Sequence, residues 1–142
     1  MTPKERAEKS AKAMWAADAA SRWFGFSIVD VDEGRAVVNV TVQPDQANGH
    51  GICHGGVIFA LADTAFAFAC NSRNVSTVAQ MNTINFLKPG QVGDVLTARA
   101  QETHLSGKTG IYEISVENQN GEVIASMRGC SRAIRGRLFE EE

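Results

Sequence analysis

Between Asn48 and Asn71 the chain reads NGHGICHGGVIFALADTAFAFACN, and its best candidates for chemistry are crowded into that stretch. His54-Gly55-Gly56 stands immediately before a long apolar run, whose only polar side chains from Val57 to Cys70 are Asp63 and Thr64. If the run is a helix, its first N–H groups lack internal acceptors, and two glycines let a ligand approach the backbone closely. The helix start is then an electropositive pocket, suited to a carbonyl oxygen that turns negative in a transition state. The plainer alternative is that the glycines serve a tight turn and close helix–sheet packing. Asp63 is the second candidate, because a carboxylate on an apolar segment is costly unless it is hydrogen-bonded, paired or exposed in a cleft. A purely structural Asp63 would bond Thr64 or a strand. The absence of any Lys or Arg in the run to neutralise it favours a working carboxylate. Asp63 follows Gly55 by eight residues, about 12 Å along a helix axis. One copy does not easily bring both groups to one carbonyl; two antiparallel copies related by a dyad do.

The rival chemistries are weaker. His50, His54 and His104 do not make a zinc set, which wants three ligands and a water; no metal is expected. No GxSxG occurs to support a serine triad. Cys53 adjoins His54, but neighbouring residues rarely aim their side chains at each other. Met81 and Phe86 read as core. Lys88, Arg73 and Lys108 flank turns where they could meet phosphates, although scattered surface cations are usually just solvated.

The run from Val57 to Cys70 covers 14 residues, rich in alanine and poor in β-branched types, which suits a helix over about 56–70 better than a strand. It is apolar on nearly every face and needs a cover all round. Before it, Thr2-Pro3-Lys4-Glu5 predicts a capped helix running to about Ala20, lying on a surface because its apolar side is mostly alanine. Ser27–Asp32 and Arg35–Val42 predict two strands about the Glu33-Gly34 turn, with Ala36, Val38, Val40 and Val42 on one face. After it come four more: Thr77–Leu87, Asp94–His104, Gly110–Glu117 and Glu122–Ile134, the last two joined across Asn120-Gly121. The pattern predicts one α+β domain over residues 1–142, a mostly antiparallel sheet curled round the helix. Exposed strand edges offer a route to pairing between subunits. Phe139 to Glu142 reads as a frayed, charged tail.

Sixteen acidic and 14 basic residues give a formal charge of -2, so no global field recruits nucleic acid or an anionic membrane. No 18-residue apolar run suggests a membrane span, and MTPKERAEKS lacks a signal segment. Three cysteines without CxxC spacing fit a reducing, cytoplasmic setting.

The chain resembles the hotdog-fold thioesterases, in the PaaI branch of phenylacetic acid degradation. The resemblance covers essentially the whole chain and is carried by Asn48-Gly49-His50, Cys53-His54-Gly55-Gly56, Leu61 to Ala67, Ala69 to Ser72 and Phe86-Leu87-Lys88-Pro89-Gly90. It implies a helix wrapped by an antiparallel sheet, dimers with a continuous sheet and sites at their interface, and dimers paired into tetramers. It implies hydrolysis of phenylacetyl-CoA and its ring-hydroxylated forms, without cofactor or metal. Gly55 would offer its N–H to the thioester carbonyl, with Gly56 beside it against the substrate. Asp63 of the opposing subunit would be base or nucleophile, Asn48 would hold water or orient the thioester, and His54 would support the loop. Phe59, Thr64, Thr77 and Gln80 would line the acyl pocket, and Arg73, Lys88 and Lys108 would be the candidates for the coenzyme A phosphates. The alternatives are a 3-hydroxyacyl thioester dehydratase or hydratase of the same fold, and a noncatalytic acyl-CoA-binding module.

Overall fold

A computed structural model describes residues 1–142. The chain opens with α1 (Pro3–Ala17), whose capping box is complete. Thr2 Oγ1 accepts from the Glu5 N–H at 3.1 Å and Glu5 Oε2 accepts from the Thr2 N–H at 2.7 Å. The helix stops before Ala20 because Asp18 caps a new one instead. Its carboxylate accepts from the Ser21 N–H at 3.0 Å and the Ser21 hydroxyl at 2.6 Å, starting α2 (Ala19–Phe24). Nor does α1 merely lie on the surface. Ala7 and Ala11 are buried in the core, their small methyls letting the helix sit close against its neighbours.

Strands β1 (Ser27–Asp32) and β2 (Arg35–Thr41) form the first hairpin. A short 3-10 turn at Pro44–Gln46 leads into α3 (Gly55–Cys70), and then β3 (Thr77–Phe86), β4 (Val95–Ser106), β5 (Thr109–Glu117) and β6 (Val123–Ala133) follow. All six strands join one sheet in the order β1-β2-β4-β5-β6-β3, every pairing antiparallel. Strand boundaries differ by at most two residues from those read in the sequence. The sheet curls round α3, which packs on β2, β3, β4, β5 and β6.

The inward strand faces supply Val38, Val40, Leu96, Ala98, Ile114, Val116 and Met127 to a core that also holds Leu61, Phe66 and Phe68 of α3. Burying the larger of these side chains, all but Ala98, stabilises a fold by roughly 1.5–3 kcal/mol each before chain entropy is subtracted. Gly129 on β6 is dictated by this packing: a Cβ there would meet the Phe66 ring at 2.5 Å. No helix is long and apolar enough to cross a membrane.

The chain end departs from the frayed tail that its charges suggested. Asn74, in the left-handed region at φ 59, accepts from the Leu138 and Phe139 N–H groups at 2.9 and 3.1 Å. Its amide donates back to the Phe139 carbonyl and to Glu141, whose carboxylate also pairs with Arg6 at 2.6 Å. An asparagine tolerates this backbone and has donors and an acceptor to spend on it. The partners are far apart in sequence, so no local pattern announced them.

Candidate active site

The start of α3 is assembled almost wholly from backbone. His54 is its N-cap, in extended geometry. Its Nδ1 accepts from the Gly56 N–H at 2.8 Å, and its carbonyl accepts from Val57 at 2.9 Å and Ile58 at 3.3 Å. With Nδ1 an acceptor, the proton of the neutral ring is on Nε2. Gly56 makes the cap possible, since a Cβ there would meet Nδ1 at 2.9 Å. Among the N–H groups of this first turn, that of Gly55 alone has no acceptor.

Gly55 lines a cavity of about 450 Å³ with Asn48, Ile52, Ile58, Phe86 and Lys88. Asn48 shapes its wall: Oδ1 accepts from the His50 N–H at 2.9 Å and the Ile52 N–H at 3.3 Å, leaving Nδ2 without a protein partner. The loop is held to its surroundings by the Cys53 N–H on Gly90 and the His54 N–H on Gln46, both at 2.8 Å. Lys88 reaches Glu122 at 3.0 Å with both side chains exposed. A second cavity, of about 300 Å³ and walled by Trp23, Phe24 and Gln46, also touches His54. Cys53 is buried, and burial first, then the charge of Asp94, pushes its thiol up to about 11. It is no thiolate nucleophile at neutral pH.

Asp63 lies two turns along α3 and is half-buried. Its Oδ1 accepts from Asn82 Nδ2 on β3 at 2.8 Å, the bond to a strand expected of a structural carboxylate. Thr64 is not its partner; that hydroxyl donates to the Ala60 carbonyl at 2.7 Å, one turn back. No cation pairs with Asp63. One consequence of its charge falls on the buried Cys70, whose thiol is raised to about 12 by burial and, secondarily, by Asp63.

Asn48, Gly55 and Lys88 thus meet round one cavity, with His54 and Gly56 building its helix start, while Asp63 does not line it. Thr77, Arg73 and Lys108 gather elsewhere, round a small cavity of about 100 Å³ that Cys70 and Tyr112 also line. There the Arg73 guanidinium is engaged by Glu102, through two bonds of 2.7 and 2.8 Å, with Glu33 at 3.5 Å. Gln80 sits exposed at a bulge in β3, and Phe59 is half-buried against the core. His50 and His104 are exposed, and no three His, Cys, Asp or Glu side chains gather as a metal cluster. The residue that sequence reasoning missed is Asn82. Its signal was the two-residue alternation of β3, which puts Asn82 and Ile84 on the side facing α3 and so makes an amide there worth noticing.

Comparison with known proteins finds relatives along nearly the whole chain. Residues 50–125 match the family model described as the Thioesterase superfamily. The chain is 47% identical over 136 residues to the acyl-coenzyme A thioesterase PaaI of Escherichia coli K12, covering 96% of this chain and 97% of that protein. The solved structure of the E. coli PaaI protein, from the phenylacetic acid degradation operon, superposes with a TM-score of 0.94 at 46% identity, covering 96% of this chain and 99% of that one. A hypothetical thioesterase of Streptococcus pneumoniae solved with coenzyme A gives a TM-score of 0.75 at 27% identity, covering 79% of this chain and 90% of that one.

Proposed function

Because the chain belongs to the hotdog-fold thioesterase superfamily, in its PaaI-like branch, we propose that it hydrolyses phenylacetyl-CoA and ring-hydroxylated phenylacetyl-CoA to the free acid and coenzyme A. The observation that carries the reading is the unpaired N–H of Gly55 at the start of α3, in a residue that lines one cavity with Asn48. A thioester carbonyl has little resonance stabilisation and its thiolate is a competent leaving group, so light machinery suffices. The carbonyl oxygen accepts from Gly55, and that bond strengthens as the oxygen becomes an oxyanion. Asp63 takes a proton from water as the water oxygen attacks the carbonyl carbon; alternatively its carboxylate attacks first and water releases the acid. Either way the C–S bond breaks and the proton ends on the departing thiol. Asn48 Nδ2 is free to hold the water or orient the thioester, and Lys88, beside the same cavity and exchangeable from its exposed pair with Glu122, is the candidate for a coenzyme A phosphate. Water is the second substrate, and no cofactor is required.

Gly55 and Asp63 do not easily serve one carbonyl from one chain, since eight residues of helix put them about 12 Å apart. A second copy supplies the missing carboxylate. The free edge of β3 is the surface that supports this, with Val78, Met81 and Phe86 exposed on an outermost strand; Met81 and Phe86 are therefore not the core residues that their apolar side chains suggested. Antiparallel pairing of two such edges continues the sheet and makes two equivalent composite sites, and two dimers pair into a tetramer.

The test is a panel of aryl- and alkyl-acyl-CoA thioesters assayed for thiol release, with Asp63→Asn beside the parent. Folded, oligomeric Asp63→Asn should lose about 10²-fold or more in kcat with KM little changed. Activity within about threefold of the parent would withdraw Asp63 from the mechanism. A trans-2-enoyl product would indicate a lyase, and binding without turnover a noncatalytic module. Mixing Asp63→Asn subunits with Asn48→Ala subunits should restore activity, because one of the two sites in a mixed dimer is intact.

A further inference from the structure

We infer that Asn82 is a positioning residue for hydrolysis, holding the Asp63 carboxylate at the angle from which it acts on the thioester. The inference rests on the proposed role of Asp63 and adds a residue to it. Asn82 Nδ2 donates to Asp63 Oδ1 at 2.8 Å and is the one hydrogen-bonding side chain that reaches this carboxylate. The other carboxylate oxygen is left without a protein partner and is therefore available to water or substrate.

The second observation is what this contact leaves unsatisfied. Asn82 Oδ1 is buried and has no hydrogen-bond partner. An ionised carboxylate only accepts, so the amide must turn its NH₂ group towards Asp63, and its carbonyl is then forced into a place without a donor. Turning the amide over would set oxygen against oxygen. A buried acceptor without a donor costs stability, and an apolar side chain of similar size would avoid that cost. The neighbouring inward position on β3 is in fact apolar, Ile84, which packs on the core opposite Met127 of β6. An amide on this face is therefore poor design for folding alone and good design for fixing a carboxylate. Local costs of this kind concentrate at working sites.

Fixing matters because Asp63 must reach a substrate bound largely by another subunit. A carboxylate free to rotate about its side-chain bonds would spend most of its time aimed elsewhere, and misplacement on the scale of 1 Å lowers rates by as much as about a hundredfold. The effect falls on kcat, since substrate binding does not use this contact.

A four-protein cycle tests this: parent, Asn82→Leu, Asp63→Ala and the double variant, each checked for melting temperature and oligomeric state, then assayed with phenylacetyl-CoA. Asn82→Leu should keep its fold and lose about tenfold in kcat with KM within about twofold. In the Asp63→Ala background the same change should alter residual kcat by less than about twofold, because there is no carboxylate left to position. Equal losses in both backgrounds would assign Asn82 a structural role and overturn the proposal, as would full activity of Asn82→Leu. An active Asp63→Ala protein would overturn the reading of Asp63 and this inference with it. An inactive Asp63→Ala protein beside an indifferent Asn82→Leu would remove Asn82 alone. Asn82→Ser, smaller and polar, repeats the cycle if leucine prevents folding.

Discussion

The two ends of α3 treat their unpaired backbone groups in opposite ways. At the N-terminal end His54 satisfies Gly56, Val57 and Ile58, and the N–H of Gly55, a residue that lines a cavity, is left unpaired. At the C-terminal end nearly everything is claimed. The Asn71 amide donates to the Ala67 and Thr77 carbonyls at 2.9 and 3.0 Å and accepts from the Thr77 N–H at 2.9 Å. Ser72 takes the Gly34 N–H at 2.9 Å, and Glu102 collects two bonds from Arg73 and one from the Tyr112 hydroxyl at 2.7 Å. The end with more polar side chains is thus the anchor, and the end with fewer is the candidate site. A single donor withheld from an otherwise satisfied helix start is a better marker of chemistry than a concentration of charge.

The sharpest way to break that comparison is Gly55→Pro. Proline suits the first helical position, where its lost N–H has no intrahelical partner and its fixed φ is helical. The preceding His54 already has the extended backbone that a residue before proline requires. A Cβ at Gly55 would come no nearer than 3.4 Å, to the Phe86 ring, which is ordinary contact. The variant should fold and assemble yet lose about 10²–10³-fold in kcat, the usual effect of deleting one oxyanion donor. Retained activity in an assay with phenylacetyl-CoA would move the carbonyl site away from the helix start.

Glu102→Ala addresses the other end and should have the reverse profile. It removes both close bonds of the Arg73 guanidinium, leaving it only Glu33 at 3.5 Å, and strands the buried Tyr112 hydroxyl. Hydrogen bonds to charged groups contribute about 1.5–3 kcal/mol each, and the partial exposure of Arg73 reduces the expected loss to about 2 kcal/mol. Urea denaturation should report that loss, while kcat and KM per folded molecule stay within about twofold. A selective loss of kcat would mean that this end takes part in turnover.

Much of the fold was legible because its signals are periodic or local. The uniformly apolar run fixed the buried helix, the alternation of Ala36, Val38, Val40 and Val42 fixed a half-buried strand, and Thr2-Pro3-Lys4-Glu5 fixed a helix start. His54-Gly55-Gly56 was legible as a helix entry for the same reason, but the several unpaired donors expected there reduce to the Gly55 N–H, because His54 takes the rest. The remainder depends on a local competition at Asp18 and on partners distant in sequence. Asp18 broke the first helix because a short acceptor beside Ser21 competes with helical continuation. Asn82 meets Asp63 across 19 positions and Arg73 meets Glu102 across 29, separations at which residue type alone does not name a partner. Arg73 read as a free cation for that reason, and the chain end read as loose.

That chain end yields the smallest effect and a clear pH signature. Glu141 accepts from Arg6, and next from the Asn74 amide, and these bonds hold its carboxyl at about 2, below its ordinary 4.5. A depressed carboxyl adds stability in full above the unfolded value and loses it as pH falls through the folded one. Parent protein should therefore melt slightly above Glu141→Gln at neutral pH, by a margin constant down to about pH 4.5 that closes as pH approaches 2. The comparison is made between two proteins at each pH, which cancels the titration of every other group. A margin that stayed flat to pH 2 would mean that the carboxylate gives nothing and that Asn74 alone holds the chain end, through the Leu138 and Phe139 backbone. Activity at neutral pH should be the same in both, because this clamp lies at the anchored end of α3 and touches neither Gly55 nor Asp63.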